Sequence, residues 1–235
     1  MGQFVTALRY PFIRFKGFWN FFWVFLPIIG PFMFYGYLIA VIRSIYAGKE
    51  SEGLPLFWQQ KFGDILLQGV FVWLGTLIVT VVLYALIFIF GIFGVVISAV
   101  LPSPLVLLVL VSIAFIIFFI LALGSSMLMF QYADTLQFKD ALNVFKSFRT
   151  VFGNFGSFIL VFIRVLGVFV LSMLLVAIVA VPLGFVSPIA AMIVFYLYFL
   201  LVALPFLSFS GTYLYARFYR DKVLGKNKGL RKKRR

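Results

Sequence analysis

The sequence predicts an all-α, polytopic helical membrane protein with four full spans, an N-terminal hydrophobic hairpin that is re-entrant or kinked, and interfacial amphipathic helices. Three observations predict it. Residues 65–133, 69 in all, contain no Asp, Glu, Lys or Arg, whereas one bilayer crossing takes about 20 apolar residues. Over the 235 residues, 65% are hydrophobic and 11% charged, the balance of a polytopic membrane protein and not of a water-soluble domain. Lys and Arg crowd into some connections and are missing from others, which is the asymmetry that orients a chain across a bilayer.

Residues 4–17 mix apolar side chains with Arg9, Arg14 and Lys16 around Tyr10-Pro11-Phe12. That mixture suits a segment lying in the headgroup layer. No basic region, apolar core and small-residue cleavage site open the chain, so insertion is expected to rest on the spans themselves.

The first hydrophobic element, residues 18–45, is interrupted by Leu26-Pro27-Ile28-Ile29-Gly30-Pro31. It reads as one kinked span or as a hairpin that enters and leaves on one side. Three Lys/Arg precede it, three follow between residues 43 and 61, three lie between 139 and 149, and ten lie from 217 onward. The turns at 91–104 and 182–188 carry none. With a re-entrant hairpin, all nineteen of these charges fall on one face, the cytoplasmic one by the positive-inside rule. The charge count favours the hairpin, although 28 residues would also allow a tilted span.

Glu50 and Glu52 open a polar loop leading to Leu54-Pro55, and residues 57–68 mix Trp58 and Phe62 with Gln59, Gln60, Lys61 and Asp64, as where a helix enters the interface. Spans follow at 65–90 and 105–131, separated by Leu101-Pro102-Ser103-Pro104, where two prolines remove backbone donors and disfavour helix in the residues before them. An amphipathic helix is expected at 135–150, lying along the surface. The last two spans are 158–181 and 189–209, parted by Pro182, Gly184 and Pro188. Residues 1–221 thus form one helical membrane domain, and 222–235 a basic cytoplasmic tail. Phe62-Gly63-Asp64 and Phe138-Lys139-Asp140 each precede an apolar helix pair, a faint echo of duplication.

The chain has no Cys and no His. That removes thiol nucleophiles, thiolate metal sites, His-based catalytic dyads and ordinary haem ligation. A non-enzymatic role is expected, with no cofactor. All six acids, Glu50, Glu52, Asp64, Asp134, Asp140 and Asp221, lie in connections or at helix ends, so the intramembrane carboxylate of coupled transporters is not found.

Arg164 is the one charged residue within the apolar parts of the last four spans. Burial of Arg at mid-bilayer costs at least about 2.5 kcal/mol, which makes it the intramembrane polar candidate. Asp134 and Asp140 are its candidate partners, and snorkelling to the headgroups is the plainer alternative. In the tail, Lys222, Lys226, Lys228, Arg231, Lys232, Lys233, Arg234 and Arg235 stand against Asp221 alone. Beside an anionic leaflet each is worth about 1 kcal/mol, so lipid contact is expected there, with ribosomal RNA or an acidic protein as the rival partner. Gly91, Gly94, Gly124 and Gly167 along the spans mark close helix packing more than a substrate path, and protein partners or self-association in the membrane are expected.

Ala7-Leu8-Arg9-Tyr10-Pro11-Phe12, Leu26-Pro27-Ile28-Ile29-Gly30, Gly36-Tyr37-Leu38, Val41-Ile42-Arg43, Leu54-Pro55 and Phe62-Gly63-Asp64 with Gly69 resemble the prokaryotic membrane family known as domain of unknown function 4013. The resemblance covers about residues 7–219. It departs at Phe57-Trp58-Gln59-Gln60, which lacks the carboxylate of the family's aromatic-acidic element. It implies a small helical membrane protein of prokaryotic origin and supplies no catalytic residue. Taken together, these features lead to the expectation of a scaffold or accessory subunit in a multi-pass inner-membrane complex, with a small-solute transporter or channel as the alternative.

Overall fold

The computed structural model describes residues 2–57, 60–100, 108–109, 112–113 and 125–225. Among them every regular element is helical: α1 (Gly2–Ile13), α2 (Phe15–Phe18), a 3-10 segment (Trp19–Phe25), α3 (Ile29–Tyr46), a 3-10 turn (Glu50–Glu52), α4 (Phe62–Val100), α5 (Leu128–Thr135), α6 (Phe138–Ala141), α7 (Val144–Phe152), α8 (Phe155–Val186) and α9 (Pro188–Tyr198). From α9 the helix continues through a π-helical turn (Phe199–Ala203) into α10 (Leu204–Tyr219) and a second π-helical turn (Arg220–Leu224). Among the described residues, four helical stretches are long and apolar enough to cross a membrane: Ile29–Tyr46, Phe62–Gly94, Phe155–Val186 and Pro188–Leu224. The fold is that of an all-α polytopic membrane protein. Three of these stretches coincide with expected spans; the span at 105–131 and the turn at Leu101-Pro102-Ser103-Pro104 fall largely outside the described residues.

Two compact units make up the chain. One joins the part up to Gly69 with the part from Asn154 onward, and the other is Val70–Gly153.

In the first unit the chain reverses at Leu26-Pro27-Ile28. Leu26 is extended, Ile28 takes a positive φ of 65° with ψ −58° as the Ile29 amide donates to the Pro27 carbonyl at 2.7 Å, and the Gly30 amide donates to the Leu26 carbonyl at 3.0 Å. A Cβ on Gly30 would overlap the carbonyl oxygen of Trp23, so glycine is what lets the two arms touch. Phe21 meets Phe34 edge-on across the reversal, ring centres 5.0 Å apart. The element at 18–45 is therefore a hairpin and not a kinked rod. Its first arm, seven residues of 3-10 helix, reaches only about 14 Å, too short to cross a hydrocarbon core of about 30 Å.

The second arm, α3, then crosses the start of α4 at backbone distance. A Cβ on Gly36 would strike the carbonyl of Ile65, and one on Gly69 the carbonyl of Phe32. Small residues at such a crossing allow backbones to approach as side chains cannot. Phe209 of α10 closes this core, its ring 6.0–6.5 Å from those of Phe18, Phe21, Phe34 and Tyr37.

The expected turn at 182–188 is shorter in the structure. Helix α8 runs through Pro182 and Gly184 to Val186, because membrane helices tolerate a proline whose freed carbonyl is satisfied locally. The chain turns only at Ser187, whose Oγ accepts from the Ala190 amide at 3.3 Å while Pro188 takes the first helical position. The π-helical turn at Phe199–Ala203 leads into Pro205 near the start of α10, where widening to i→i+5 bonding accommodates the missing amide donor.

In the second unit the expected amphipathic helix at 135–150 is broken into pieces. Leu136 adopts a left-handed conformation after α5, and Asn143 opens α7 by accepting the Lys146 amide on Oδ1 at 2.9 Å. Local polar caps here outcompete helix continuation. Helix α7 is amphipathic as expected, but Ser147 and Thr150 turn inward while Phe145 is 88% exposed.

Candidate functional site

The polar chemistry of the first unit gathers where α1, α10 and the loop after α3 meet. Glu50 is the centre. Arg220 contacts its Oε1 with Nη1 and also donates to the Ile45 carbonyl at 2.8 Å, while Arg217 reaches Oε2 with Nη1 at 3.4 Å. The Tyr213 hydroxyl lies 3.3 Å from Oε2 and accepts from Arg217 at 2.7 Å. Tyr10 packs on Tyr213 with the rings tilted and their centres 4.8 Å apart, and directs its hydroxyl to the Gly53 carbonyl at 3.5 Å. Arg217 and Arg220 also reach Asp221, at 3.7 and 3.1 Å. Burial pushes the Tyr10 hydroxyl far above the phenolic range, with the neighbouring Tyr37, Tyr213 and Glu50 adding to the effect; it stays neutral at any physiological pH.

Close by, Tyr37 donates to the Pro55 carbonyl at 2.7 Å, with the Gly17 carbonyl also in range at 3.2 Å, and Leu54 is fully buried against Gly17. The Leu54-Pro55 and Gly36-Tyr37 motifs are thus two halves of one contact. It fastens the loop to α3.

Beside this contact lies a polar cavity of about 360 Å³, lined by Arg14, Arg43, Lys49, Glu52, Asp64 and Gln68 among others. It holds three cations and two carboxylates. Lys49 and Glu52 form an exposed ion pair at 3.8 Å, worth at most about 1 kcal/mol in that setting.

Arg164 sits in the third turn of α8, and its Nη1 donates to Gln3 Oε1 at 2.7 Å. The expected partners were Asp134 and Asp140; the structure gives an N-terminal amide instead. The reason is that α1 packs in the same unit as α8, where the Phe4 ring faces Gly167 and a Cβ there would lie 3.5 Å from it. Arg164 lines a cleft of about 220 Å³ together with Ser157, Arg217, Asp221 and Lys222. Of the tail residues, Lys222 is thereby placed in the last π-helical turn. Lys226, Lys228, Arg231, Lys232, Lys233, Arg234 and Arg235 lie outside the described residues.

In the second unit Asp140 accepts from Thr135 at 2.6 Å and from Lys146 at 3.1 Å. Burial opposes its ionisation, but the Thr135 and Lys146 hydrogen bonds and the charges of Lys146 and Lys139 outweigh it and hold the carboxyl below its usual range. Asp134 moves the other way: burial raises it, Lys146 pulls it back, and Asp140 raises it again. Among the described residues no group of three or more His, Cys, Asp or Glu could hold a metal.

Sequence reading missed the Glu50–Tyr213–Arg217–Arg220 assembly. One signal for it was present: Arg217, Arg220 and Asp221 share a helix face at i, i+3 and i+4. The glycines picked out for packing divide: among the described residues nothing lies within 4 Å of a Cβ placed on Gly91 or Gly94, Gly167 meets Phe4, and Gly124 is outside the described residues.

The family model described as a protein of unknown function (DUF4013) matches residues 21–181. No curated protein and no solved structure matches the chain.

Proposed function

The chain belongs to the DUF4013 family, and we propose that it serves as a non-enzymatic integral membrane scaffold or accessory subunit of a larger complex. One observation carries this reading: the long helix from Pro188 to Leu224 is two different objects along its length. Its first part, α9, buries no residue, whereas α10 buries eleven, including Pro205, Phe209, Tyr213 and Tyr219. A helix so divided is anchored at one end and offers apolar surface at the other, at Ile189, Met192, Ile193 and Leu197. Lipid tails and neighbouring helices are the media that accept such a surface.

The anchored end is ion-paired and aromatic-packed, which suits a fixed support more than a moving gate. The basic segment from Lys222 onward contacts anionic lipid on the cytoplasmic face of the inner membrane. The test is purification of the native protein in mild detergent followed by mass measurement. A defined assembly with a second protein supports the scaffold reading; a bare monomer counts against it. Flux of a small solute through reconstituted vesicles, abolished by Arg164→Ala, would favour a transporter in its place.

A further inference from the structure

We propose that the cavity between the α1–α2 junction at Arg14, α3, the 49–55 loop and the start of α4 binds a phosphoethanolamine headgroup, presented by a membrane phospholipid. The inference rests on the membrane placement of α4 and not on the scaffold role.

Arg14, Arg43, Lys49, Glu52 and Asp64 line one cavity of about 360 Å³, within the size range of small-ligand sites. Lys49 and Glu52 are paired with each other. Among the described residues, Arg14, Arg43 and Asp64 form no ion pair and no side-chain hydrogen bond. Arg43 and Asp64 are exposed and Arg14 is half-buried, so two guanidinium groups and one carboxylate are free to meet a ligand at the cavity. Guanidinium is the side chain best matched to phosphate oxygens, through paired N–H donors. The carboxylate accepts from a primary ammonium. A ligand bearing both charges a few atoms apart answers both demands. A purely anionic headgroup would leave Asp64 facing like charge.

The level of the cavity supplies the source. Asp64 is in the first turn of α4, and the next ionisable side chain along the chain, apart from two tyrosines, is Asp134. The boundary between headgroups and hydrocarbon must therefore fall just beyond this carboxylate. Ile65, the next residue, joins the cavity wall and is itself buried.

The test uses the full chain in nanodiscs and in detergent, with lipid binding read by native mass spectrometry. Wild type should retain phosphatidylethanolamine at least tenfold better than phosphatidylcholine, whose quaternary ammonium has no N–H to donate. The double variant Arg14→Gln/Arg43→Gln should lose at least tenfold for both lipids. Asp64→Asn should keep phosphate binding and erase the preference between them. Equal retention of the two lipids by wild type overturns the proposal, as does unchanged phosphatidylethanolamine binding in the double variant. If the double variant fails to fold, Asp64→Asn decides alone, because loss of discrimination is read only from a folded protein that still binds lipid. Soluble glycerophosphoethanolamine at millimolar concentration should leave the bound lipid in place; full displacement by it overturns the lipid source.

Discussion

Each unit holds one acid that organises its surroundings, and the two acids do so over different ranges. Asp140 is held by Thr135 and Lys146, five and six residues away. Glu50 is held by Tyr213, Arg217 and Arg220, more than 160 residues away. The first arrangement needs only a short stretch of chain to bend. The second exists only after α10 has docked beside α3 and the hairpin, so it reports on the assembled unit. A local cluster can form in a partly folded chain, whereas a long-range one adds cooperativity, since its partners meet only when the whole unit is formed.

The largest expected effect breaks the long-range member. Glu50→Ala takes from two half-buried guanidinium groups one of the two carboxylates they share, leaving Asp221, and stability should fall by about 2–3 kcal/mol, the low end for a disrupted ion pair because the side chains are not fully buried. Thermal unfolding in detergent, followed by helix content, measures it. A loss below 1 kcal/mol would show that Glu50 is incidental to the docking of α10.

Asp140→Asn should cost about 2 kcal/mol, from weakened hydrogen bonds to a charged group, with the loss confined to exchange protection in residues 128–152. Its pH dependence follows from the depressed carboxyl. The stabilisation is complete above the unfolded carboxylate range, about 4, and disappears as pH falls through the lower folded value. The difference between wild type and Asp140→Asn should thus be constant from pH 5 to 8 and shrink below pH 4. A difference that grew on acidification would mean that the carboxyl is raised and not lowered.

Asn143→Ala removes the cap that opens α7 and should cost about 1 kcal/mol, read as faster amide exchange at Phe145 and Lys146. The smallest effect sharpens the contrast from the other side. Tyr10→Phe removes a hydroxyl whose contact with Gly53 is at the limit of hydrogen bonding, at 3.5 Å, and keeps the ring on Tyr213. It should change stability by no more than about 0.5 kcal/mol. A larger loss would assign the hydroxyl, and not ring packing, to the contact between α1 and the loop.

Much of the fold was legible in the sequence because hydropathy is summed over neighbours. The absence of charge from 65 to 133 announces apolar helices whatever they pack against. Pro27 and Gly30 announce an interruption, though their pattern left the reversal and the kinked span both open; the short 3-10 arm and the Phe21–Phe34 contact decide between them. The boundaries of α8 were misjudged because Pro182 signals a break in water, while a membrane helix runs through it. The helix at 135–150 was misjudged because its apolar spacing outweighed the capping role of Asn143. At the candidate sites, the charges of Arg43, Glu50 and Asp64 were visible as residues, but not that Arg43 and Asp64 share a cavity or that Glu50 waits for Arg220.

The sequence by itself determined the solvent, the helical class and the family, because each depends on composition and on spacing within a few turns. Only the tertiary structure decided which partner each polar side chain keeps. Gln3 and not an acid meets Arg164, and a loop glutamate meets a helix from the far end of the chain. The physical reason is that helices place residues by local geometry, whereas contacts between helices depend on where two backbones can approach. Here that is settled by glycines at 30, 36 and 69 that leave room for a facing carbonyl.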